Sequence, residues 1–454
     1  MTTLYCARWV LPVSSVMIER GAVAVEGAFI VGVGERDSLV ARFPEADMQD
    51  FGEAAILPGF VNAHSHLELT AMRGYLEDKE DDFFGWLRKL TVARLERMTP
   101  DDLYVSASWG AVEAARAGVT CLGDSSDAAS ASLRALRDVG LRGIVYQEAF
   151  GPDPLLAREH FEKLREKVFG LREYESALTR TGVSPHSPYT VSARQLELIT
   201  DFALAENLPV MIHAAESKAE DQLLREGTGP FAEGLARRGI EWRAPGVSTI
   251  QYLRAVGVLR ARPLLAHCIR VDESDMETIR EEDARIAHCP KSNAKLGHGH
   301  APFAAFIDRG LKVGLGSDSV ASNNNCDMLE EARFAALLSR AARDQSQSKR
   351  MTDSLDVLLA ATLGGARALG LDAHTGALDV GLQADLTIVC LSGPHQLPVH
   401  DPAHALVFAS SGRDVLLTVV AGREVFRDGR VTTVDEERLR ARMKEIKQAV
   451  ASDK

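Results

Sequence analysis

The chain has 454 residues, 46% of them hydrophobic, and 52 Lys+Arg against 64 Asp+Glu give a net charge of −12. That is enough apolar material for one large domain or two ordinary ones, which excludes a disordered chain or a small stapled module. The acidic balance offers no basic face to a phosphate backbone, so small molecules rather than nucleic acid are the expected partners.

From Tyr5 to about Asp50 the sequence reads as short β-like pieces, such as 22–25 and 29–33, punctuated by Gly21, Gly27, Gly32 and Gly34. A small sheet is expected there. The acidic run Glu77-Asp78-Lys79-Glu80-Asp81-Asp82 reads most simply as a solvated loop, with a substrate lid as the alternative. Beyond it, apolar runs ending in polar clusters alternate with stretches of helical spacing such as 100–117 and 192–207. Alternation of this kind predicts parallel strands with helical crossovers. Eight strand ends are expected at 60–64, 119–124, 143–146, 181–186, 210–213, 264–267, 285–288 and 313–318. Eight strands of this type close a (β/α)8 TIM-type barrel, which typically takes about 250 residues. Residues 384–389, 415–420 and 424–426 return to the β texture of the start, so the two ends can share one sheet. The expected organisation is an α/β chain. Residues 1–55 and 381–454 supply the two parts of a small composite β-sandwich domain, the latter with a terminal helix, and 56–380 form the barrel.

Six cysteines (Cys6, Cys121, Cys268, Cys289, Cys326 and Cys390) lie far apart with no CxxC pair, which fits a reducing compartment. The first fifteen residues lack a cationic start followed by a sustained apolar core, and no apolar run approaches the ~20 residues that span a bilayer. A cytoplasmic protein without a membrane partner is expected.

Most of the expected strand ends finish on His or Asp, where a barrel builds its active site. His64-Ser65-His66 puts two imidazoles on one side of an extended strand, so both can reach one ion. Alone, the pair could equally be surface histidines beside a turn. His213 and Asp318 add a third nitrogen and a carboxylate, completing a four-ligand set suited to one divalent ion, zinc first, with Fe2+ or Mn2+ also accommodated. Glu216 lies one loop turn beyond His213, where a carboxyl with a raised pKa can move protons between water and a leaving nitrogen. A solvated loop glutamate is the alternative. His267 on the next strand can orient the attacking water, or be a satisfied core histidine. His186, between Pro185 and Pro188, is a candidate substrate hydrogen-bonder on a stiff turn. His288, His298 and His300 receive no role, and a second metal is not expected, because the fourth strand end offers no lysine to bridge two ions. GxSxG, GxxxxGK[ST] and HExxH motifs are absent, as is the HxE and PCxxC pair of the cytidine-type deaminases.

Residues 57–68, LPGFVNAHSHLE, resemble the first-strand signature of the amidohydrolase superfamily, in the branch of cytosine, guanine and adenosine-analogue deaminases and triazine hydrolases. Further blocks resemble the methylthioadenosine and adenosylhomocysteine deaminases: 185–192, His213 with Glu216, Ala266-His267-Cys268, 290–293, 316–325, 381–386 and 419–423. The resemblance covers nearly the whole chain. It implies His64, His66, His213 and Asp318 as metal ligands, Glu216 as proton shuttle, His267 as the histidine orienting hydroxide, and Asp318 as a second proton acceptor. It also implies Trp86 and His186 as substrate contacts, although Trp86 could equally pack on a helix face. The third strand end, Tyr146-Gln147-Glu148-Ala149-Phe150, lacks the arginine expected for a carboxylate-bearing thioadenosine, and the Glu148 segment is reminiscent of aminodeoxyfutalosine deaminases. Glu148 is therefore a third candidate substrate contact. The implied activity is hydrolytic deamination of a 6-aminopurine nucleoside, with a triazine-type hydrolase or a guanine- or cytosine-type deaminase as the alternative. A homodimer is implied by the resemblance alone.

Overall fold

The computed structural model describes residues 1–343, 348 and 350–451. The N-terminal segment forms β1 (Thr2–Val10), β2 (Ile18–Glu26), β3 (Phe29–Glu35), β4 (Asp47–Asp50) and β5 (Ala54–Pro58). Next come the eight strands β6 (Phe60–Ser65), β7 (Val119–Ser126), β8 (Arg142–Ala149), β9 (Thr179–Pro185), β10 (Met211–Ala214), β11 (Leu264–His267), β12 (Arg285–His288) and β13 (Lys312–Leu315). The C-terminal segment adds β14 (Leu386–Cys390), β15 (Val415–Val420), β16 (Arg423–Arg427), β17 (Arg430–Val431) and the helix Glu436–Ala451.

The two ends of the chain do share a sheet. Its order is β17-β16-β15-β14-β5-β1-β2-β3, with β4 beside β1. β5 is the seam, parallel to β1 and antiparallel to β14, with Ile56 opposite Ile388. Alternation along these strands gathers Val10, Val23, Ile56, Ile388 and Leu417 on one face as a small apolar core.

Strands β6 to β13 fall into two four-stranded parallel sheets, β6-β7-β8-β9 and β10-β11-β12-β13. Every residue of β6, β7 and β8 is buried, as expected of parallel strands covered on both faces. The sheets meet at two places, where Val183 bridges to Val210 and Ser65 to Asp318. At the second meeting Asp318 N donates to the His64 carbonyl at 2.9 Å. Gly316 permits that approach, because a Cβ there would stand 2.9 Å from His64 N. The expected helices are found at Pro100–Arg116 and Ala193–Glu206. The first begins with a Thr99/Asp102 capping box and Pro100, which supply partners for otherwise orphaned N–H groups.

The acidic run is not a free loop. Lys295 Nζ lies 3.0 Å from Glu77 and 2.5 Å from Glu80, and Lys89 pairs with Asp78 at 2.5 Å. Cations from two other elements offset the local repulsion and tie the run beside the helix Phe83–Arg97. Among the described residues, no helix is long and apolar enough to cross a membrane.

One buried ion pair fastens the terminal sheet to the parallel strands. Arg142 of β8 donates to Asp385, just before β14, through Nε at 2.7 Å and Nη2 at 3.1 Å, and also reaches Gln383. Their side chains are 5% and 0% exposed. Asp385→Ala should cost about 3–5 kcal/mol in chemical denaturation, because it strands a buried guanidinium. A loss under about 1 kcal/mol would mean that water reaches Arg142.

Candidate functional site

The C-terminal ends of the parallel strands deliver the chemistry. His64 lies near the end of β6, His66 just beyond it, His213 on β10, and Asp318 after β13. His64 Nε2 is buried without a hydrogen-bond partner, and its Nδ1 lies 3.2 Å from Met211 Sδ. Asp318 Oδ1 stands 3.4 Å from His64 Nε2 and 3.5 Å from His66 Nε2. His66 Nε2 and His213 Nε2 are 3.3 Å apart. His213 Nδ1 donates to the His186 carbonyl at 2.9 Å, which leaves the lone pair on Nε2, facing the cluster. Burial, with His64 beside it, lowers the pKa of His66 to about 3, and burial holds His213 well below its usual value. Neutral nitrogens with converging lone pairs cannot bond one another. His64, His66 and His213 form one group that can hold a metal ion, and Asp318 joins His64 and His267 in another.

Asp318 is fixed by short side chains. Its Oδ2 accepts from Ser292 Oγ at 2.6 Å and Ser322 Oγ at 3.1 Å, and its Oδ1 from Ser319 N at 2.7 Å.

Glu216 approaches from the turn after β10. Burial, followed by the charge of Asp318, pushes its carboxyl up to about 8. Its Oε2 accepts from Tyr189 OH at 3.4 Å, and its Oε1 lies 3.6 Å from His267 Nε2. The turn is held by Glu220, which accepts from Ala215 N at 2.9 Å, Glu216 N at 2.8 Å and Thr249 Oγ1 at 2.8 Å. His267, at the end of β11, sets Nδ1 2.9 Å from Asn293 Oδ1 and leaves Nε2 unpartnered. Ala215, His267, Cys268 and Asp318 all have positive φ, between +46° and +76°. Such backbone costs about 1–3 kcal/mol at each non-glycine residue, and here it lies beside the clustered polar groups.

A cavity of about 590 Å³ opens over this floor. Its wall is largely apolar, with Phe83, Trp86, Leu87 and Leu90 from the helix Phe83–Arg97 facing Phe150 and Phe231. Trp86 is 4% exposed, with Nε1 unpartnered. His186 bonds through Nδ1 to Thr190 Oγ1 at 2.9 Å and packs 4.8 Å from the Phe150 ring. Glu148 is buried with Oε1 unpartnered, 4.0 Å from His66 Nδ1. Burial and then neighbouring Glu68 raise its carboxyl well above the usual range. Glu148, His186 and His213 also bring ligand atoms within 4.8 Å of one another. His288 packs 5.3 Å from Phe303, and His300 is exposed.

The structure thus brings together all the candidate residues: His64, His66, His213, Asp318, Glu216 and His267 on the floor, and Trp86, Glu148 and His186 on the wall. Glu220, Tyr189, Ser322 and Asn293 had received no individual role from the sequence. A signal existed for Glu220, since Ser217-x-x-Glu220 is a helix-start pattern, and Ser217 Oγ does accept from Glu220 N at 3.2 Å. The Glu220 carboxylate, however, reaches past the cap to the strained turn.

His213→Ala should abolish stoichiometric metal in elemental analysis of purified protein while leaving the far-ultraviolet circular dichroism unchanged. Full retention of metal would exclude His213 as a ligand. Behind the site, Glu331 is fully buried and accepts from Asn323 Nδ2 at 2.6 Å, and burial pushes its carboxyl up to about 8. The folded protein then keeps a proton that the unfolded chain releases above about pH 4.3, so this group's contribution to stability falls as pH rises towards 8. Glu331→Gln should therefore gain stability relative to wild type between about pH 5 and 8, and parallel melting curves against pH would contradict that origin.

The amidohydrolase family model matches residues 55–425. A 5-methylthioadenosine/S-adenosylhomocysteine deaminase of Pelotomaculum thermopropionicum is 32% identical over 93% of this chain and 92% of its own. The crystal structure of an adenosine deaminase from Xanthomonas campestris with bound zinc superposes with a TM-score of 0.86 at 28% identity, covering 99% of this chain and 98% of that one. An atrazine chlorohydrolase from Arthrobacter aurescens complexed with zinc gives a TM-score of 0.84 at 22% identity, over 98% and 100%, a likeness of fold alone. From the histidine pair at the end of the first parallel strand to the aspartate after the last, this chain belongs to the amidohydrolase family.

Proposed function

We propose that the protein is a metal-dependent hydrolytic deaminase that converts a 6-aminopurine nucleoside, of the methylthioadenosine or adenosine kind, to its 6-oxo product and ammonia. The observation that carries this reading is the buried Glu216 carboxyl, set beside the His64, His66, His213 and Asp318 cluster at the floor of an apolar cavity. The reading takes residues 56–380 as one barrel, and the bridges at Val183/Val210 and Ser65/Asp318, which link the two parallel sheets, support it. Residues 1–55 and 381–454 make up the accompanying β domain.

His64, His66, His213 and Asp318 are the proposed ligands of one divalent ion, zinc first. The bound ion would supply the Lewis acidity that makes water a nucleophile near neutral pH. Asp318 keeps Oδ1 turned into the site because two serines occupy Oδ2. Glu216, its carboxyl pushed up to about 8, can pass one proton of the water to the ring nitrogen as hydroxide adds, and the second, from the added hydroxyl, to the amino group that leaves as ammonia. His267 presents a lone pair at Nε2 and can accept from the attacking water, fixing its orientation. The apolar wall fits a flat heteroaromatic base, and Trp86 supplies an indole face and a free N–H. His186 and Glu148 line the same cavity and can meet the polar edge of a nucleoside. Burial raises the Glu148 carboxyl well above the usual range, and in its protonated form it can donate as well as accept. The activities for which the deaminase relatives are named support this reading.

Metal-loaded protein should release ammonia from at least one of methylthioadenosine, adenosine, adenosylhomocysteine and aminodeoxyfutalosine. It should leave guanine, cytosine and chloro- and aminotriazines untouched. Turnover confined to triazines would replace this reading with the triazine-type alternative. Glu216→Gln should keep its metal and lose at least about a thousandfold in kcat, within the range that positioned acid–base groups contribute.

A further inference from the structure

His298 is a buried polar group to which the site as described gives no work. Its side chain is 7% exposed, its Nε2 has no hydrogen-bond partner, and that nitrogen lies 3.8 Å from Glu216 Oε1. Phe83 packs against the ring edge to face, with centroids 4.5 Å apart, so the cavity wall fixes the imidazole from one side. Gly297 and Gly299 flank it at φ of +66° and +104°, in a turn that an L side chain at either position would strain. The His298 N–H donates to the Asn293 carbonyl at 2.9 Å, while Asn293 Oδ1 holds His267 Nδ1. One asparagine thus holds the His267 ring and the backbone of His298.

The two rings are not equivalent. His267 directs its ring proton to Asn293 and shows Glu216 a lone pair, so it cannot donate to a carboxylate. His298 Nε2 is free to carry a proton. We propose that His298 is a positioning residue whose Nε2–H donates to Glu216 Oε1 while Tyr189 donates to Oε2, so that the carboxyl is held in the plane from which it moves protons. The inference rests on Glu216 being the proton carrier. The present separation exceeds a hydrogen bond by about 1 Å, and catalytic hydrogen bonds of this kind tighten when the ligand binds. The glycines on either side allow the movement.

The test is a double-mutant cycle on metal-loaded enzyme with methylthioadenosine and adenosine as substrates. His298→Leu should lower kcat about 10- to 100-fold, the weight of a hydrogen bond to a charged group, with KM within about twofold and metal content and melting temperature unchanged. His298→Gln, which restores a donor near Nε2, should recover activity to within about threefold of wild type. In a Glu216→Gln background, His298→Leu should cost little more, because the interaction is already lost. Wild-type kcat in His298→Leu, no rescue by glutamine, or full additivity in the cycle would each overturn the positioning role and leave the functional reading standing. Full activity in Glu216→Gln, or no deamination by wild type, would overturn the functional reading itself and this inference with it.

Discussion

The structure depends on the cost of burying polar atoms that do not bond one another. Three imidazole nitrogens and a carboxylate oxygen meet at separations of 3.3–3.5 Å, and the His64 nitrogen there has no partner. An unpaired buried polar group costs about 1–3 kcal/mol, so an array of them persists only where surrounding bonds fix each ring and something else completes it. Two members of the array are fixed by such bonds, His213 by the His186 carbonyl and Asp318 by two serines, and Asn293 holds the neighbouring His267 in the same way. Each of those contacts points a lone pair inward. A divalent ion is the partner such an array fits, and its binding free energy would offset the local strain.

Converging donors require converging strands. Donors from β6, β10 and the end of β13 must meet, and they can do so only if β13 comes directly beside β6. Gly316 allows that approach, and the Asp318 N–H to His64 carbonyl bond secures it. The price is positive φ at Asp318, which also turns its carboxylate off the strand and into the site. At β10 the same logic recurs, with Ala215 left-handed and Glu220 holding the turn that aims Glu216. Backbone strain is therefore concentrated at the residues whose direction matters and is held by carboxylates and hydroxyls immediately behind them.

What could be read from the sequence follows from this division. Every expected parallel strand end is found in its place, because continuous apolar runs closed by His or Asp are a local signal that survives without contacts. The pairing of the chain termini was legible for the same reason, as the β texture returns after residue 384. The acidic run 77–82 was not, because its ion pairs with Lys295 reach across more than two hundred residues of sequence. Nor were Tyr189, Asn293 and Ser322 individually, since a lone Tyr, Asn or Ser carries no spacing signature and acquires meaning only from what it touches. His298 belongs with them. The sequence assigns it no role, because its position beside Glu216 depends on how the segment after β12 packs on Phe83.

The cavity separates two demands on one substrate. Its floor is made of strand ends and short, bonded side chains that leave reacting atoms little freedom. Its wall is largely built from a helix, Phe83–Arg97, that attaches to the rest through apolar contacts and through the ion pairs of the acidic run. Chemistry set by the floor can stay constant while the wall changes, because a Phe-to-Leu change in the helix does not touch the ligand set. That is consistent with one fold serving both a purine nucleoside deaminase and a triazine hydrolase among its structural neighbours. Here the wall brings aromatic and aliphatic faces together with the unpartnered indole N–H of Trp86 and with Glu148, whose carboxyl burial raises well above the usual range. A planar, nitrogen-rich ring carrying a hydroxylated substituent satisfies both halves at once, whereas a small chlorinated ring would leave Glu148 Oε1 buried and unpaired.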